Sequence, residues 1–240
     1  MGNEYYSPGE TRATQVNRLF ATIAPRYDFI NDLQSLGLHR HWKRQVARLA
    51  AARPGDRALD LCCGTGDIAF ALAGAGVEVT GLDFSEPMLA VAMNRKTAPG
   101  AQNPKFVAGD AENTGLPAAS FDIVTVGYGL RNLASWEAGL NEMIRVAKPG
   151  GRLIVLDFGK PDNAAWRALY FSYLRLCVPV LGLVFCGNAR AYAYILESLK
   201  HYPAQRGIES KMRELGLVNV RVENLLGGAM SINYGEKLAR

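Results

Sequence analysis

Cysteine and histidine are scarce in this chain of 240 residues, which holds four of the first and three of the second. The cysteines stand at 62, 63, 177 and 186, and no C-x-x-C or H-x-H spacing joins them, so no metal site is expected. Charge of either sign is modest: 27 Lys and Arg face 22 Asp and Glu, a net +5 scattered along the chain. No Lys/Arg cluster forms, so no nucleic-acid partner is expected, and the mild excess suits an anionic surface. Long uncharged runs are missing as well. The longest, 176–189, has 14 residues and contains Pro179, too short to span a bilayer. With no signal-peptide pattern, a cytoplasmic setting with reduced thiols is expected.

What the chain does have is one repeated grammar of short apolar run, turn and helix. The runs are Arg57–Leu61, Glu78–Leu82, Lys105–Ala108 and Asp122–Val126, the last three followed directly by Asp or Gly and the first by Cys62-Cys63-Gly64. A fifth, Arg152–Phe158, follows a turn at Lys148-Pro149-Gly150-Gly151. Runs this short and apolar predict buried parallel strands joined by crossover helices. Two later runs, Val218–Asn224 and Met230–Leu238, flank Gly227-Gly228 and predict antiparallel neighbours. The fold class is therefore α/β, a mostly parallel seven-stranded sheet with a reversed last strand. Residues 14–52 read as helical, with breaks near Pro25 and Gly37, and 162–200 as an aromatic-rich helical insertion.

In such sheets ligands bind outside the carboxyl ends of the strands. There the first run becomes Asp60-Leu61-Cys62-Cys63-Gly64-Thr65-Gly66. Gly64 and Gly66 permit positive φ and close backbone approach, and the next helix presents its first N–H groups. Asp83 ends the second run, 23 residues after Asp60, where an acid can accept from both hydroxyls of a ribose. Asp110, in Gly109-Asp110-Ala111-Glu112, ends the third and can accept from an adenine amino group. Each acid alone also reads as a cap or turn residue. Together they point to adenosine. Carboxylates at Asp60 and Asp67 repel a pyrophosphate but suit a sulfonium and an ammonium, so S-adenosyl-L-methionine fits better than a dinucleotide.

The cradle resembles that of class I (Rossmann-like) S-adenosylmethionine-dependent methyltransferases, with Cys62 at the first glycine of their E/D-x-G-x-G-x-G pattern. Further motifs narrow the resemblance: Tyr27-Asp28-Phe29-Ile30-Asn31 leading to His39-Arg40-His41-Trp42, then Gly127-Tyr128-Gly129-Leu130-Arg131-Asn132, Lys148-Pro149-Gly150-Gly151 and Asp157-Phe158-Gly159. From about residue 14 to 238 the chain is similar to the ubiquinone/menaquinone biosynthesis C-methyltransferases. That resemblance implies a polyprenyl quinol as partner and carbon methylation as the activity, demethylmenaquinol to menaquinol, with a ubiquinone-precursor benzoquinol or another lipophilic acceptor as the alternative. A non-catalytic cofactor-binding subunit is the weaker reading. The implied organisation is an N-terminal helical substrate or lid region, 1–52, and a methyltransferase domain, 53–240, that carries the insertion.

The implied cofactor set is Asp60, Gly64, Thr65, Gly66, Asp83, Phe84, Asp110, Ala111 and Gly127, the last where relatives often have Ser. A phenol-like hydroxyl must ionise before its ortho carbon attacks, and Arg131, permanently charged, suits the oxyanion. Asn132 either orients water or the quinol oxygen, or makes a turn contact. Tyr27 and Asp28 either close over the site or bond within the helix pair. His39 and His41 read as orienting the N-terminal element. The insertion reads either as a groove for the tail and peripheral contact with the inner face of the membrane, or as core or a homodimer interface.

Overall fold

In the computed structural model the described residues are 12, 15–16, 27–97, 101–186 and 189–239, with backbone only at 27, 28, 185, 186 and 189–192. The sequence grammar folds into β1 (Arg57–Leu61), β2 (Glu78–Asp83), β3 (Lys105–Ala108), β4 (Phe121–Gly127), β5 (Ala147–Phe158), β6 (Val218–Leu225) and β7 (Met230–Glu236). They form one sheet in the order β3-β2-β1-β4-β5-β7-β6, with β7 antiparallel to both neighbours. Strand order reverses beside β1, and the crevice at that reversal is where an open α/β sheet holds a ligand.

Alternation along the strands splits the core in two. Leu59, Leu61, Val124, Val126, Leu153 and Val155 point to one face, and Ala58, Ile123, Ile154 and Leu156 to the other. The first face is covered by α5 (Trp136–Val146), α6 (Ala164–Cys186), α7 (Ala189–His201) and α8 (Ala204–Glu214). The second is covered by α2 (Leu38–Leu49) and α3 (Asp67–Ala73), while α4 (Glu86–Met93) packs on β2 and β3. Each fully buried Leu or Ile in these layers stabilises by about 1.5–3 kcal/mol. In α2, His39, Trp42, Lys43 and Val46 are buried, the i, i+3, i+4, i+7 stripe of an amphipathic helix. The short α1 (Tyr27–Ser35) precedes it across Leu36 and Gly37, both at positive φ, so the break near Gly37 is present; the one near Pro25 lies outside the described residues.

The structure refines two expectations. Lys148-Pro149-Gly150-Gly151 keeps its turn but lies inside β5, as a bulge where the pairing with β4 passes from Phe121–Ala147 to Ile123–Arg152. Gly150, at φ 76°, donates to Lys237 O at 2.8 Å, and Gly151 O accepts from Lys237 N–H at 2.8 Å, which stitches the segment to the chain beyond β7. The count of uncharged residues also understates α6. Its Ala164–Val184 stretch, which includes Arg167 and Arg175, is long and apolar enough by length and composition to cross a membrane. Here Tyr170, Leu174 and Val178 dock it on the core, while Leu169, Leu176, Val180, Leu183 and Val184 are exposed.

Candidate active site

The chain leaves β1 through Cys62 (φ 51°), Gly64 (φ 54°) and Gly66 (φ 86°). Three left-handed residues in five positions coil the loop, and Cys62 adopts this conformation despite its Cβ. Its side chain lies over Gly129, where an added Cβ would meet Cys62 Cβ at 2.3 Å. Cys63 does the same over Gly81, with Sγ 3.0 Å from the position a Cβ would take. Burial pushes both thiols well above the ordinary cysteine range, so they are neutral packing groups.

Asp83 ties this loop to the end of β2. Its Oδ2 accepts from Gly64 N–H at 2.7 Å and its Oδ1 from Ser85 N–H at 2.8 Å, and burial raises its pKa. Each oxygen keeps a lone pair for a ligand. A pocket of about 90 Å³ opens there, lined by Gly64, Asp83, Phe84, Asp110, Ala111 and Gly127 among others. Asp110 is exposed, and its Oδ1 accepts from Glu112 N–H at 2.8 Å. Gly127 has no room for a larger residue with Ile68 in place, because a Cβ would lie 2.6 Å from Ile68 Cδ1.

Three residues expected at the cofactor stand behind this wall. Thr65 is buried, with its carbonyl accepting from Arg95 at 2.7 Å. Gly66 opens α3, packed so that a Cβ would meet Phe106 at 2.9 Å. Asp60, alternating with Leu59 and Leu61, faces α3; Thr125 Oγ1 donates to its Oδ1 at 2.7 Å, and its Oδ2 is buried with no hydrogen-bond partner among the described residues. Burial pushes the Asp60 carboxyl up to about 7, against the opposing pull of the Thr125 hydroxyl and the Lys43 charge. The reason is geometric: the coiled loop turns Gly64 to the pocket and the next two residues into the helix.

Across Tyr128 lies a second, larger cavity of about 630 Å³. Its walls are mostly apolar, from Leu33, Leu38 and Trp42 on one side to Leu169, Tyr173 and Ile195 on the other. Tyr173 OH donates to Gln34 O at 3.2 Å, joining α6 to α1. Tyr128 lines both cavities and sits at φ 61°, a conformation that costs a non-glycine residue of order 1–3 kcal/mol. Its carbonyl accepts from the Arg131 guanidinium and, at 2.9 Å, from the Asn132 amide.

Arg131 and Asn132 form a 3₁₀ turn with Leu130. Arg131 lines the large cavity, buried, 4.6 Å above the Phe158 ring and 3.0 Å from Asp157 Oδ1. Asp157 Oδ2 also accepts from Arg131 N–H at 3.2 Å. Asn132 Oδ1 accepts from Tyr194 OH at 3.2 Å, so Asn132 makes the turn contact while also lining the small pocket. The backbones of Tyr27 and Asp28 open α1; their side chains lie outside the described residues. His39 bonds Asp32 at 2.8 Å and orients the helix pair, whereas His41 is exposed.

Sequence reasoning passed over Lys43. Buried in α2, it reaches Asp67 Oδ2 at 2.8 Å and lies 5.8 Å from the centre of the Tyr128 ring, so the N-terminal helices are bolted onto the loop after β1. The two cations Lys43 and Arg95 overcome the cost of burial and hold Asp67 far below the usual carboxylate range. A lysine on an otherwise buried helical stripe was the available signal.

Among solved structures the fold matches a SAM dependent methyltransferase from Aquifex aeolicus, with TM-score 0.60, 17% identity, and coverage of 87% of this chain and 98% of that one. A class I methyltransferase fold is thereby defined. The sequence profile of the ubiE/COQ5 methyltransferase family matches residues 9–237, and the chain belongs to that family. A demethylmenaquinone methyltransferase of Desulfitobacterium hafniense is 39% identical over 233 residues, 95% of this chain and 92% of the relative. A ubiquinone/menaquinone biosynthesis C-methyltransferase UbiE of Azotobacter vinelandii is 38% identical over 234 residues, 96% and 92% of the two chains.

Asp60 gives the ligand-free fold a pH dependence. Its folded pKa is raised, so its contribution to stability is full below about pH 4 and is lost as pH rises through about 7. Asp60→Asn cannot lose that proton. Thermal unfolding of the two proteins should show the variant gaining a few degrees on wild type between pH 5 and pH 8. A gap that does not change with pH would contradict this role.

Proposed function

We propose that this chain transfers a methyl group from S-adenosylmethionine to a ring carbon of a polyprenyl quinol, converting demethylmenaquinol to menaquinol. The observation that carries the reading is Tyr128, a single residue on the wall of both a small polar-edged pocket and a large apolar cavity. The relatives' names supply the quinol; the Azotobacter relative's name keeps a ubiquinone-precursor benzoquinol as the second acceptor to test.

The small pocket fits the cofactor by the chemistry of its donors and acceptors. Asp83, with free lone pairs, suits ribose hydroxyls; Asp110 and Ala111 suit the adenine edge; Phe84, half exposed beside Asp83, offers its ring to the purine. The orphaned Asp60 Oδ2 behind the loop adds negative character that favours a cationic ligand. When bound, S-adenosylmethionine supplies an electrophilic methyl on a sulfonium. The chain must then position the ring, at roughly 3–3.5 Å from that carbon, and stabilise the ionised hydroxyl.

Arg131 performs the second task. Its guanidinium is anchored by Asp157 and Tyr128 O, and its Nε is buried without a partner among the described residues. A fixed cation in an apolar cavity stabilises an oxyanion far more than one in water. Its charge is permanent, so it is no proton acceptor.

The exposed face of α6 extends the reading. Leu176, Val180, Leu183 and Val184 form an apolar surface on the helix that walls the cavity, and the net charge of +5 favours anionic headgroups. Peripheral contact there would pass the tail between bilayer and cavity. Leu176→Asp with Leu183→Asp should abolish flotation with vesicles containing phosphatidylglycerol while leaving activity on a short-tailed quinol unchanged; flotation equal to wild type would contradict the contact.

The central test is methyl transfer from labelled S-adenosylmethionine to reduced demethylmenaquinone, with the reduced ubiquinone precursor alongside. Removing Arg131 alone would strand Asp157 as a buried charge, so the informative variant is the neutral pair Arg131→Gln with Asp157→Asn. Label should enter the naphthoquinol ring, and the paired variant should lose about 100-fold or more in kcat with S-adenosylhomocysteine binding within threefold. Binding without transfer to either quinol would sink the substrate assignment.

A further inference from the structure

Five of the residues that line the mostly apolar large cavity each carry a buried atom with no hydrogen-bond partner among the described residues: Asn31 Nδ2, Gln34 Nε2, His39 Nδ1, Arg131 Nε and the Tyr170 hydroxyl. An orphaned buried polar atom costs about 1–3 kcal/mol, so five on one cavity mark the place where a polar group is received. They fall on two sides. Arg131 and Tyr170 lie close enough for the guanidinium charge to act on the phenol. Asn31, Gln34 and His39 belong to the α1–α2 pair opposite.

His39 is a different kind of group from the other four. Asp32 Oδ1 lies 2.8 Å from its Nε2, and Arg40 clamps the same carboxylate. The carboxylate makes Nε2 the protonated nitrogen, which leaves the Nδ1 lone pair as the orphan. The ring is 3% exposed. A neutral imidazole, oriented from behind by an acid and bare on its other nitrogen, is the arrangement of a base.

We propose that His39 is the proton acceptor of the reaction, its Nδ1 taking the hydroxyl proton of the quinol while Asp32 holds the ring as a positioning residue. This rests on the quinol reading above. The O–H bond breaks and its proton moves to Nδ1, and the electron pair passes into the ring. The ortho carbon then bonds the methyl as the sulfonium S–C bond breaks, leaving a neutral thioether. The ring C–H proton leaves to water as aromaticity returns, and the imidazolium gives its proton back to the oxygen. One proton is released net, matching the sulfonium charge that disappears. Arg131 supplies the fixed charge and His39 the mobile proton, so neither residue does the other's task.

The groups that face His39 are Asp32 from α1, Arg40 and Lys43 from α2, and Asp67 at the start of α3. Burial and Lys43 lower its pKa below the ordinary value, and the two aspartates oppose them, so the ring is neutral and able to accept at neutral pH.

The experiment is the rate of methyl transfer to a short-tailed reduced demethylmenaquinone from pH 5.5 to 9.5, for wild type, His39→Gln, His39→Ala and Asp32→Asn, each first shown to bind S-adenosylhomocysteine within threefold of wild type. His39→Gln should lose about 100-fold in kcat at pH 7. It should also lose the acid limb of the wild-type profile, its rate instead rising about tenfold per pH unit as the quinol ionises unaided. Free imidazole should restore at least tenfold to His39→Ala and nothing to Asp32→Asn. A His39→Gln rate within threefold of wild type with the acid limb intact overturns the assignment, and so does His39→Ala that folds but is not rescued. Absence of transfer by wild type to any quinol overturns the substrate reading and this assignment with it.

Discussion

The buried pair of Arg131 and Asp157 holds together the segment on which both cavities depend. Asp157, at the carboxyl end of β5, receives the Arg131 guanidinium at 3.0 Å and its backbone N–H at 3.2 Å. Arg131 in turn clamps the carbonyl of Tyr128, whose left-handed conformation would otherwise relax. Taking two charges out of water is costly, and such a pair contributes little net stability compared with an apolar replacement. Its effect is on geometry. It fixes the loop after β4 at the junction of the small pocket and the large apolar cavity.

A second constraint acts from the N-terminal side. The stripe His39, Trp42, Lys43 and Val46 lays α2 on the sheet, and the Lys43 to Asp67 contact fastens it to the loop after β1. Helices that roof the large cavity are thus tied to the turn that shapes the small pocket. With Tyr173 bonded to Gln34 O, α6 closes the opposite wall. One cavity is therefore assembled from two distant stretches of chain, each anchored to the same strand ends.

The strands were legible because parallel strands leave short apolar runs bounded by turn residues: Arg57–Leu61 coincides with the buried β1, and Lys105–Ala108 with β3, a mostly exposed edge strand. Local chemistry marked the turn at Lys148-Pro149-Gly150-Gly151 but not its place inside β5, where Lys237, a partner far along the chain, holds it. The same limit applies at the site. Asp83, Asp110 and Gly64 were legible because each ends a strand or opens a turn. Thr65, Gly66 and Asp60 share the motif but stand behind the small pocket's wall, since the direction in which a coiled loop points is a property of its φ angles. That Asp157 would engage Arg131, and that His39 would stand on a cavity wall with one unpartnered nitrogen, depends on contacts between separate elements that no spacing encodes.

Tyr128, on the wall of both cavities, marks where two ligands bound side by side must meet. The most direct measurement is a crystal structure of the chain with S-adenosylhomocysteine and a short-tailed reduced demethylmenaquinone bound together. The expected result is ribose against Asp83 and the quinol ring in the larger cavity between His39 and Arg131, with its reacting carbon turned past the edge of Tyr128 toward the S-adenosylhomocysteine sulfur. A ring bound elsewhere, or adenosine in the larger cavity, would contradict it.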